Sequence, residues 1–544
     1  MNRDVVFHDA DVLVMGAGAS GCGAALAARE EGKNVLLVDK GKLESCGSIG
    51  AGNDHFMGVL NSSDPYDSVD DMVNFFCKPG NGVPPETVRA WGEAMPHLIE
   101  FLTDVGVEFQ KNEDGTFKRS QGFGQPGHWW ILIHEGQFMK PKIARRIRQI
   151  GVDVLDHVML TRLLVRDGCF VGAMGYHVLD GSFHVIRAKT GVLAMGPRVQ
   201  RAFTNSTLNP FNSISMPFNV GAHYILAYEA GARLVNFDTK QTASVEPKSF
   251  GCPGMNGITG SGAHALNSLG ERFMTKYHPM TEQAPRHLFA RGLVEESLKG
   301  NGPPFYMDMR HLPDDVRNNL EFDLMPGDKG TWPDYSAQRG LDFKTKLMEV
   351  EVSEIRLEGM VFRDKNFEST VPGLFVGTGF HAFSGAMCGG YAAAKNAARQ
   401  ADAKVMPDFP SREEIDEEQT RVMLPLESGG ETSAALFEKA IRQIMRYYMG
   451  YVRNEIGMKQ GLESLDRLAS KVDDLYAANM HELMRVHEAQ NLLQVCRLFT
   501  MASIERRETS SKTLCLRSDY PDPDPSFTVL AIEKRGENPF LYWM

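Results

Sequence analysis

Paired cysteines are absent from this chain of 544 residues. Its eight cysteines stand singly, at positions 22, 46, 77, 169, 252, 388, 496 and 515, with no CxxC spacing among them. Structural zinc and thiolate-held iron–sulfur clusters use closely spaced cysteines, so neither is expected, and no metal site is expected. Scattered cysteines build no disulfide framework and fit a reducing compartment. No apolar run approaches the roughly 20 residues that span a bilayer. The opening MNRDVVFHDAD reads as neither a signal peptide nor a twin-arginine leader, so a cytoplasmic location is expected. A basic excess is missing too: 58 Lys and Arg face 69 Asp and Glu, a net charge of −11. With no basic cluster, a nucleic-acid partner is excluded from the expectations. Internal repeats and low-complexity tracts are lacking, and the 28 dispersed methionines read as core filler rather than ligands.

What is present is ordinary globular composition, 42% apolar and 23% charged, over a length that exceeds one simple core. The chain is organised around ADVLVMGAGASGCGAALAAREEGKNVLLVDK, Ala10 to Lys40. Val12 to Met15 reads as a buried strand. Gly16, Ala17, Gly18, Ala19, Ser20 and Gly21 form a glycine turn, an Ala-rich helix runs to about Gly32, and Asn34 to Val38 reads as a second strand ending at Asp39. This is a βαβ unit with a dinucleotide fingerprint. Gly16 serves the tight turn, Gly18 the close approach of a pyrophosphate, and Gly21 the packing of helix on strand. The helix N-terminus favours the anion, and Asp39 can accept from ribose hydroxyls. Because the fingerprint stands early and the chain returns to it much later, it favours FAD over NAD.

A second glycine loop follows, Ser45 to Asn53, whose small residues let backbone lie against a flat ring. Gly122 to Gly136 is dense in aromatic residues and His, and Lys142 to Ile150 reads as a basic helix. Strands are expected at Val152 to Leu155, Met159 to Arg166, Phe170 to Val178, His184 to Ala188 and Val192 to Gly196. Alternation of strands and helices implies a mainly parallel sheet with an antiparallel excursion. From Asn236 the composition shifts to Pro, Gly and mixed polar residues, which suggests an inserted domain. Gly373 to Gly379 again enters a glycine turn, with a helix over Gly385 to Arg399. Past Pro410 the chain is charged and helical, over Arg412 to Gln419, Thr432 to Arg453, Gly461 to Tyr476 and Met480 to Ile504, and it closes on a β segment with the aromatic tail PFLYWM. That tail is expected either to dock on another subunit, a second copy or an electron-transfer protein, or to pack onto the chain's own helical domain.

Several of these pieces, in this order, resemble the succinate dehydrogenase/fumarate reductase flavoprotein family. They are the fingerprint, NSLGERFMTKYHP (Asn267 to Pro279), APRHLFARG (Ala284 to Gly292), VPGLFVGTG (Val371 to Gly379) and ERRETSSKTLCLRSDYPD (Glu505 to Asp522). Within that family the chain looks most like the adenylylsulfate reductase alpha subunits, through GHWWILIHEGQFMKPKIA (Gly127 to Ala144), PFNVGAHYILAYEAGA (Pro217 to Ala232), GNGPPFYM (Gly300 to Met307) and HAFSGA (His381 to Ala386). The resemblance implies an α/β fold: a Rossmann-like, glutathione-reductase-like FAD-binding domain over 1–235 and 346–405, an inserted capping domain over 236–345, and a C-terminal helical domain over 406–544. It implies FAD contacts from Gly16, Gly18, Ala19, Ser20, Gly21, Asp39, Lys40, Ser45, Gly47, Gly52, Asn53, Met159, Ala194, Gly196, Gly377, Thr378, Ser384 and Gly385.

The departures from the family bear on the substrate. Where dicarboxylate members carry HPTG, this chain reads Asn236-Phe237-Asp238-Thr239-Lys240. Their H-x-x-GG segment is matched by SEIRLEG (Ser353 to Gly359), and their carboxylate-binding NRLGG by Met387-Cys388-Gly389-Gly390. A dicarboxylate needs strong donors at both ends, so fumarate and succinate are not expected as substrates. The adenylylsulfate reductase arginine near the start of the capping domain also has no counterpart in Phe237 to Lys248. Arg286 occupies the place of the family's proton-donating arginine, with Glu271 and Arg272 as relay candidates and His381 in the loop expected to face the flavin. Alternatively, Arg286 and its neighbours form a capping-domain salt-bridge network, and His381 is structural. Asn53, His128, Trp129 and His134 are expected to line the substrate pocket. Cys46 stands near the place where covalent members carry their histidine. No histidine lies beside it, so non-covalent FAD is expected.

The implied activity is an FAD-dependent oxidoreductase moving a hydride or electron pair between flavin and a small non-dicarboxylate substrate. Electrons would be exchanged with a separate iron–sulfur or ferredoxin-like protein, and a homo-oligomer is possible. Two alternatives stand: an ene-reductase or desaturase of an unsaturated acid with Arg286 as proton donor, and a non-catalytic FAD electron-transfer subunit.

Overall fold

The computed structural model describes residues 4–78, 80–122, 124–213, 216–238, 242–251, 255–379, 382–509 and 515–544. Its central sheet is built by the fingerprint unit and its sequels. Strand β1 (Val5–Met15) leads through the glycine turn to helix α1 (Ala19–Glu30) and strand β2 (Val35–Val38). After an outlying strand β3 (Trp130–His134) and helix α2 (Met139–Gln149) come β4 (Asp153–Leu155), β5 (Val158–Arg166), β6 (Cys169–His177) and β7 (Phe183–Leu193). Helix α3 (Arg286–Leu298) follows in the inserted region. Strand β8 (Leu374–Val376) enters much later and feeds helix α4 (Ala382–Asp402). The described strands line up as β4-β2-β1-β7-β6-β5, with β8 also on β7. Pairs β1–β2, β1–β7, β2–β4 and β7–β8 are parallel; β5–β6–β7 is the antiparallel excursion.

One expectation is corrected here. Two strands expected at His184 to Ala188 and Val192 to Gly196 are a single strand, β7. The polar residues between them are absorbed by side-chain partners: Lys189 pairs with Asp11 at 2.9 Å, and Thr190 Oγ1 donates to the Ala397 carbonyl at 3.2 Å. Likewise β1 starts at Val5, because its half-exposed first half pairs in register with β7, Val5 opposite Phe183.

Small residues let α1 and α4 pack backbone to backbone across one face of the sheet. A Cβ on Gly23 would collide with the Met387 carbonyl, and one on Gly390 with the Ser20 carbonyl. The other face shares one continuous core with the C-terminal helices α5 (Ala434–Tyr448), α6 (Glu455–Ala469) and α7 (Met480–Glu505). Helix α6 begins at Glu455 rather than Gly461 because the Asn454 side chain caps it, accepting from the Gly457 N–H at 2.8 Å. A separate core, with Phe250, Phe289, Met307 and Trp332 at its centre, forms the capping domain around strands Thr242–Pro247, His264–Leu266, Phe305–Asp308 and Met348–Glu358.

The aromatic tail packs on its own chain. Strand Asn538–Trp543 forms a hairpin with Leu530–Arg535, which joins Leu234–Val235. The Trp543 ring packs against Phe527 and beneath the Arg506 guanidinium, 4.8 Å from its centroid.

Candidate active site

The carboxyl ends of β1, β2, β7 and β8 open on one cavity of about 480 Å³. This is where doubly wound sheets hold ligands. Of the residues marked from sequence for the cofactor, Gly16, Gly18, Ala19, Ser20, Asp39, Lys40, Ser45, Gly47, Asn53, Met159, Ala194, Gly196 and Thr378 line it. The other five do not. A Cβ on Gly21 would strike the Gly16 carbonyl, one on Gly52 the Gly327 carbonyl, and one on Gly377 would lie 2.8 Å from Ser20 Oγ, so these three serve packing. Ser384 Oγ donates to the Met57 carbonyl, and Gly385 is buried inside α4.

The turn after β1 is shaped for a dinucleotide. Gly16 has φ +101°, and a Cβ there would stand 2.7 Å from Ala194 and Met195 backbone. Gly18 and Gly47 face each other bare: a Cβ on Gly47 would stand 2.5 Å from Gly18 Cα. Helix α1 has no side-chain cap and no acidic residue in its first turn, so its leading N–H groups suit an anion. Asp39 accepts from the Ala17 N–H (2.8 Å) and the Gly41 N–H (2.7 Å), fixing the carboxylate at the mouth of the turn. Lys40 is turned elsewhere, donating to the Phe218 carbonyl (2.7 Å) and to Glu488 Oε1 (2.5 Å).

Behind the same turn lies a residue that the sequence reading left out. Lys140, on α2, is fully buried, and its Nζ donates to the Ala17 carbonyl at 2.6 Å and to Cys22 Sγ at 3.3 Å. Burial works against its charge; the Cys22 and Cys46 sulfurs and the Asp39 carboxylate outweigh it, and the ammonium titrates above the ordinary lysine range. The basic helix expected from Lys142 in fact starts at Met139, and the buried positions Met139, Lys140, Ile143, Ala144 and Ile147 form its inward face.

Where the cap meets the sheet domain, the loop 52–54 packs on Gly136, Gln137 and Gly327. A Cβ on Gly136 would collide with the Asn53 carbonyl and stand 3.3 Å from the Gly327 carbonyl. Two acids are buried at this seam, Asp54 and Asp328. Asp54 Oδ1 lies 2.5 Å from His55 Nδ1, and His55 stacks on Trp130. Burial, then the Asp54 charge, pushes Asp328 well above the usual carboxylate range, against the pull of Arg286 and Lys329. Gln137 Oε1 is buried there with no hydrogen-bond partner among the described residues. Neither acid was singled out from sequence. Asp54 adjoins Asn53, but nothing local marks Asp328.

The remaining candidates fall as follows. Arg286 opens α3, half-buried, close enough to act on Asp328. Glu271 is half-exposed and paired with Lys276 at 2.7 Å, and Arg272 pairs with the buried Glu282 at 2.6 Å; neither lines the cavity. His381 lies outside the described residues, as do Thr239 and Lys240. His128 is exposed, His134 pairs with Asp323 at 3.0 Å on the surface, and Trp129 is sealed in the core with its Nε1 donating to the Tyr66 carbonyl. None of these three lines the cavity: Trp130–His134 runs as an inner strand, with His128 and His134 exposed on either side of the buried run. Cys46 is buried, and burial followed by Asp39 pushes its thiol well above its ordinary value.

Fold and cavity define an FAD-binding flavoprotein, and the comparisons with known proteins agree. The family described as "FAD binding domain" matches residues 11–478, and "Fumarate reductase flavoprotein C-term" matches 438–538. The chain belongs to the succinate dehydrogenase/fumarate reductase flavoprotein family and is an FAD-dependent oxidoreductase. It is 27% identical to a subunit of the fumarate reductase (CoM/CoB) from Methanothermobacter marburgensis, over 98% of both chains, and 26% identical to an L-aspartate oxidase from Pseudomonas aeruginosa, over 96% of this chain and 97% of the other. Its fold is that of adenylylsulfate reductase from Archaeoglobus fulgidus, with TM-score 0.87 at 20% identity over 100% of this chain and 96% of the other. Among the described residues no helix is long and apolar enough to cross a membrane.

Proposed function

We propose that the chain holds FAD non-covalently and exchanges a hydride or electron pair with a small substrate, other than a dicarboxylate, seated at the seam between cap and sheet domain. When bound, FAD supplies the two-electron chemistry. Non-covalent binding follows from the buried, protonated Cys46 thiol, which is a poor nucleophile. The observation that carries the substrate reading is the charge at the seam: Arg286 is accompanied by two buried acids, Asp54 and Asp328. A second substrate carboxylate there would meet two buried acids rather than a second arginine. Arg286 holds one anionic or polarisable group. Asp328, whose carboxyl burial holds above the usual range, gives or takes a proton across the seam, and Gln137 Oε1 accepts from the ligand. At one of the three places where dicarboxylate members carry their clamps, Met387 and Cys388 are fully buried inside α4.

Electrons are exchanged with a separate iron–sulfur protein. Support comes from relatives whose names call them subunits, the fumarate reductase (CoM/CoB) chain and a succinate dehydrogenase flavoprotein among them. Those same names favour a second reading, a dicarboxylate substrate. Stopped-flow absorbance of the flavin separates the two. Succinate should fail to reduce it, and fumarate should fail to reoxidise it, at millimolar levels; rapid turnover of either establishes the second reading. Adenylylsulfate and sulfite are tested in parallel.

A further inference from the structure

We propose that Lys140 is the counter-charge for the cofactor's diphosphate, a buried cation that acts from behind the glycine turn and makes the site selective for a diphosphate over an uncharged nucleoside. Its ammonium never reaches the cavity. It holds the Ala17 carbonyl from the protein side, while the Ala17 N–H is held by Asp39 from the other, so the residue before Gly18 is clamped at both ends.

Other cations line the cavity, but none stands on the turn itself. Helix α1 contributes backbone N–H groups but no side-chain cation in its first turn. Asp39, on the loop after β2, is an acid. Lys40 is spent on Glu488 and the Phe218 carbonyl. Lys42 lines the cavity but is exposed, so water and salt screen it. Arg198 lines the cavity too, half-buried, and only the Lys140 variants separate its contribution from that of Lys140. No carboxylate lies within ion-pair distance of Lys140 Nζ among the described residues; its direct partners are a carbonyl and a sulfur. An unpaired ammonium in the interior is costly. Asp39 acts on that ammonium only from a distance, and a diphosphate arriving on the far side of the turn adds to it as counter-charge through a medium that screens little.

The test is affinity, measured on apoprotein by calorimetry with FAD, ADP and adenosine. Lys140→Gln keeps a donor for the Ala17 carbonyl but removes the charge, and Lys140→Met removes both. In each variant FAD and ADP should weaken by about tenfold or more while adenosine changes by less than about twofold, the pattern of a lost charge contact. Equal losses for ADP and adenosine would show a structural residue and overturn the proposal, as would unchanged ADP affinity. The wild type provides a second arm should the variants not fold. There ADP should bind at least about tenfold tighter than adenosine, and going from about 50 to 500 mM salt should cost that gain less than about threefold, because a buried charge is weakly screened. A gain that is absent, or that vanishes in salt as exposed Lys42 would dictate, overturns it.

Discussion

Gly16 and Gly18 are two residues apart, yet a methyl group added at each meets different surroundings. At Gly16 it would lie 2.7 Å from Ala194 backbone, on a residue at φ +101°. At Gly18 it meets Gly47 Cα at 3.4 Å and otherwise the cavity. Gly16→Ala should therefore cost the apoprotein about 1–3 kcal/mol in urea unfolding. Gly18→Ala should leave that stability within about 1 kcal/mol and weaken FAD instead, and Gly18→Val should abolish FAD binding. Equal destabilisation by both alanines would remove the distinction. Asp328 makes a second test at this scale. Its carboxyl titrates above its ordinary value, so it favours the folded state below about pH 3.8 and loses that contribution as pH rises through the raised value. Asp328→Asn stays neutral throughout. It should gain stability on the wild type as pH climbs from about 5 to 8 in thermal melts, while slowing any step in which Asp328 moves a proton. The opposite slope would mean that Asp328 is ionised, with Arg286 or Lys329 as its partner.

Helices α1 and α4 meet where each has lost its side chains. A Cβ at Gly23 would strike the Met387 carbonyl, and one at Gly390 the Ser20 carbonyl. Backbone cannot yield as a flexible side chain can. Gly390→Ala should therefore cost about 1–3 kcal/mol, and Gly23→Leu should leave little folded protein, as read by soluble yield and circular dichroism. Normal melting of Gly23→Leu would mean that the helices stand farther apart. Much of this layer was legible beforehand: the strand–turn–helix–strand order around Gly16 and the second glycine entry at Gly373 announce a doubly wound sheet, since each piece is local and short. What depends on distant partners was not legible. β7 read as two strands because only the folded chain shows Lys189 finding Asp11 and Thr190 finding Ala397. Trp129 and His134 looked like pocket residues, but Trp129 is sealed in the core against the Tyr66 carbonyl and His134 pairs with Asp323 at the surface. Asp54 and Asp328 carry no motif, and only the docking of cap on loop brings their segments together. The tail read as a docking element because its aromatic residues end the chain; it pairs with Leu530–Arg535, while Phe540 and Met544 stay exposed.

At the scale of the molecule, the sheet domain and the C-terminal helices are fastened by charge as well as by their shared core. Arg201 and Glu488 are fully buried and paired at 2.5 Å; Arg485 bridges Glu438 (2.7 Å) and Glu488 (2.8 Å), and Lys40 reaches Glu488 from the rim of the cofactor cavity. Burial works against the Glu488 charge, but Lys40, Arg201 and Arg485 outweigh it and hold the carboxyl down to about 2. A carboxyl depressed in the fold stabilises it above its ordinary value of 4.5 and loses that contribution as pH falls towards about 2. Removing one member of a buried ion network leaves the others uncompensated, which typically costs about 3–5 kcal/mol. Glu488→Gln should lose stability of that order at about pH 7, and its deficit against the wild type should shrink as pH drops from about 4.5 downwards. It should also weaken FAD, because Lys40 loses the anchor that holds that side of the cavity to α7. Calorimetric melts across pH, run beside FAD titrations, test both parts. A deficit that is constant with pH would show that Glu488 is already protonated in the wild type, and stability lost without any change in FAD affinity would show that the helical domain braces the sheet but not the cofactor.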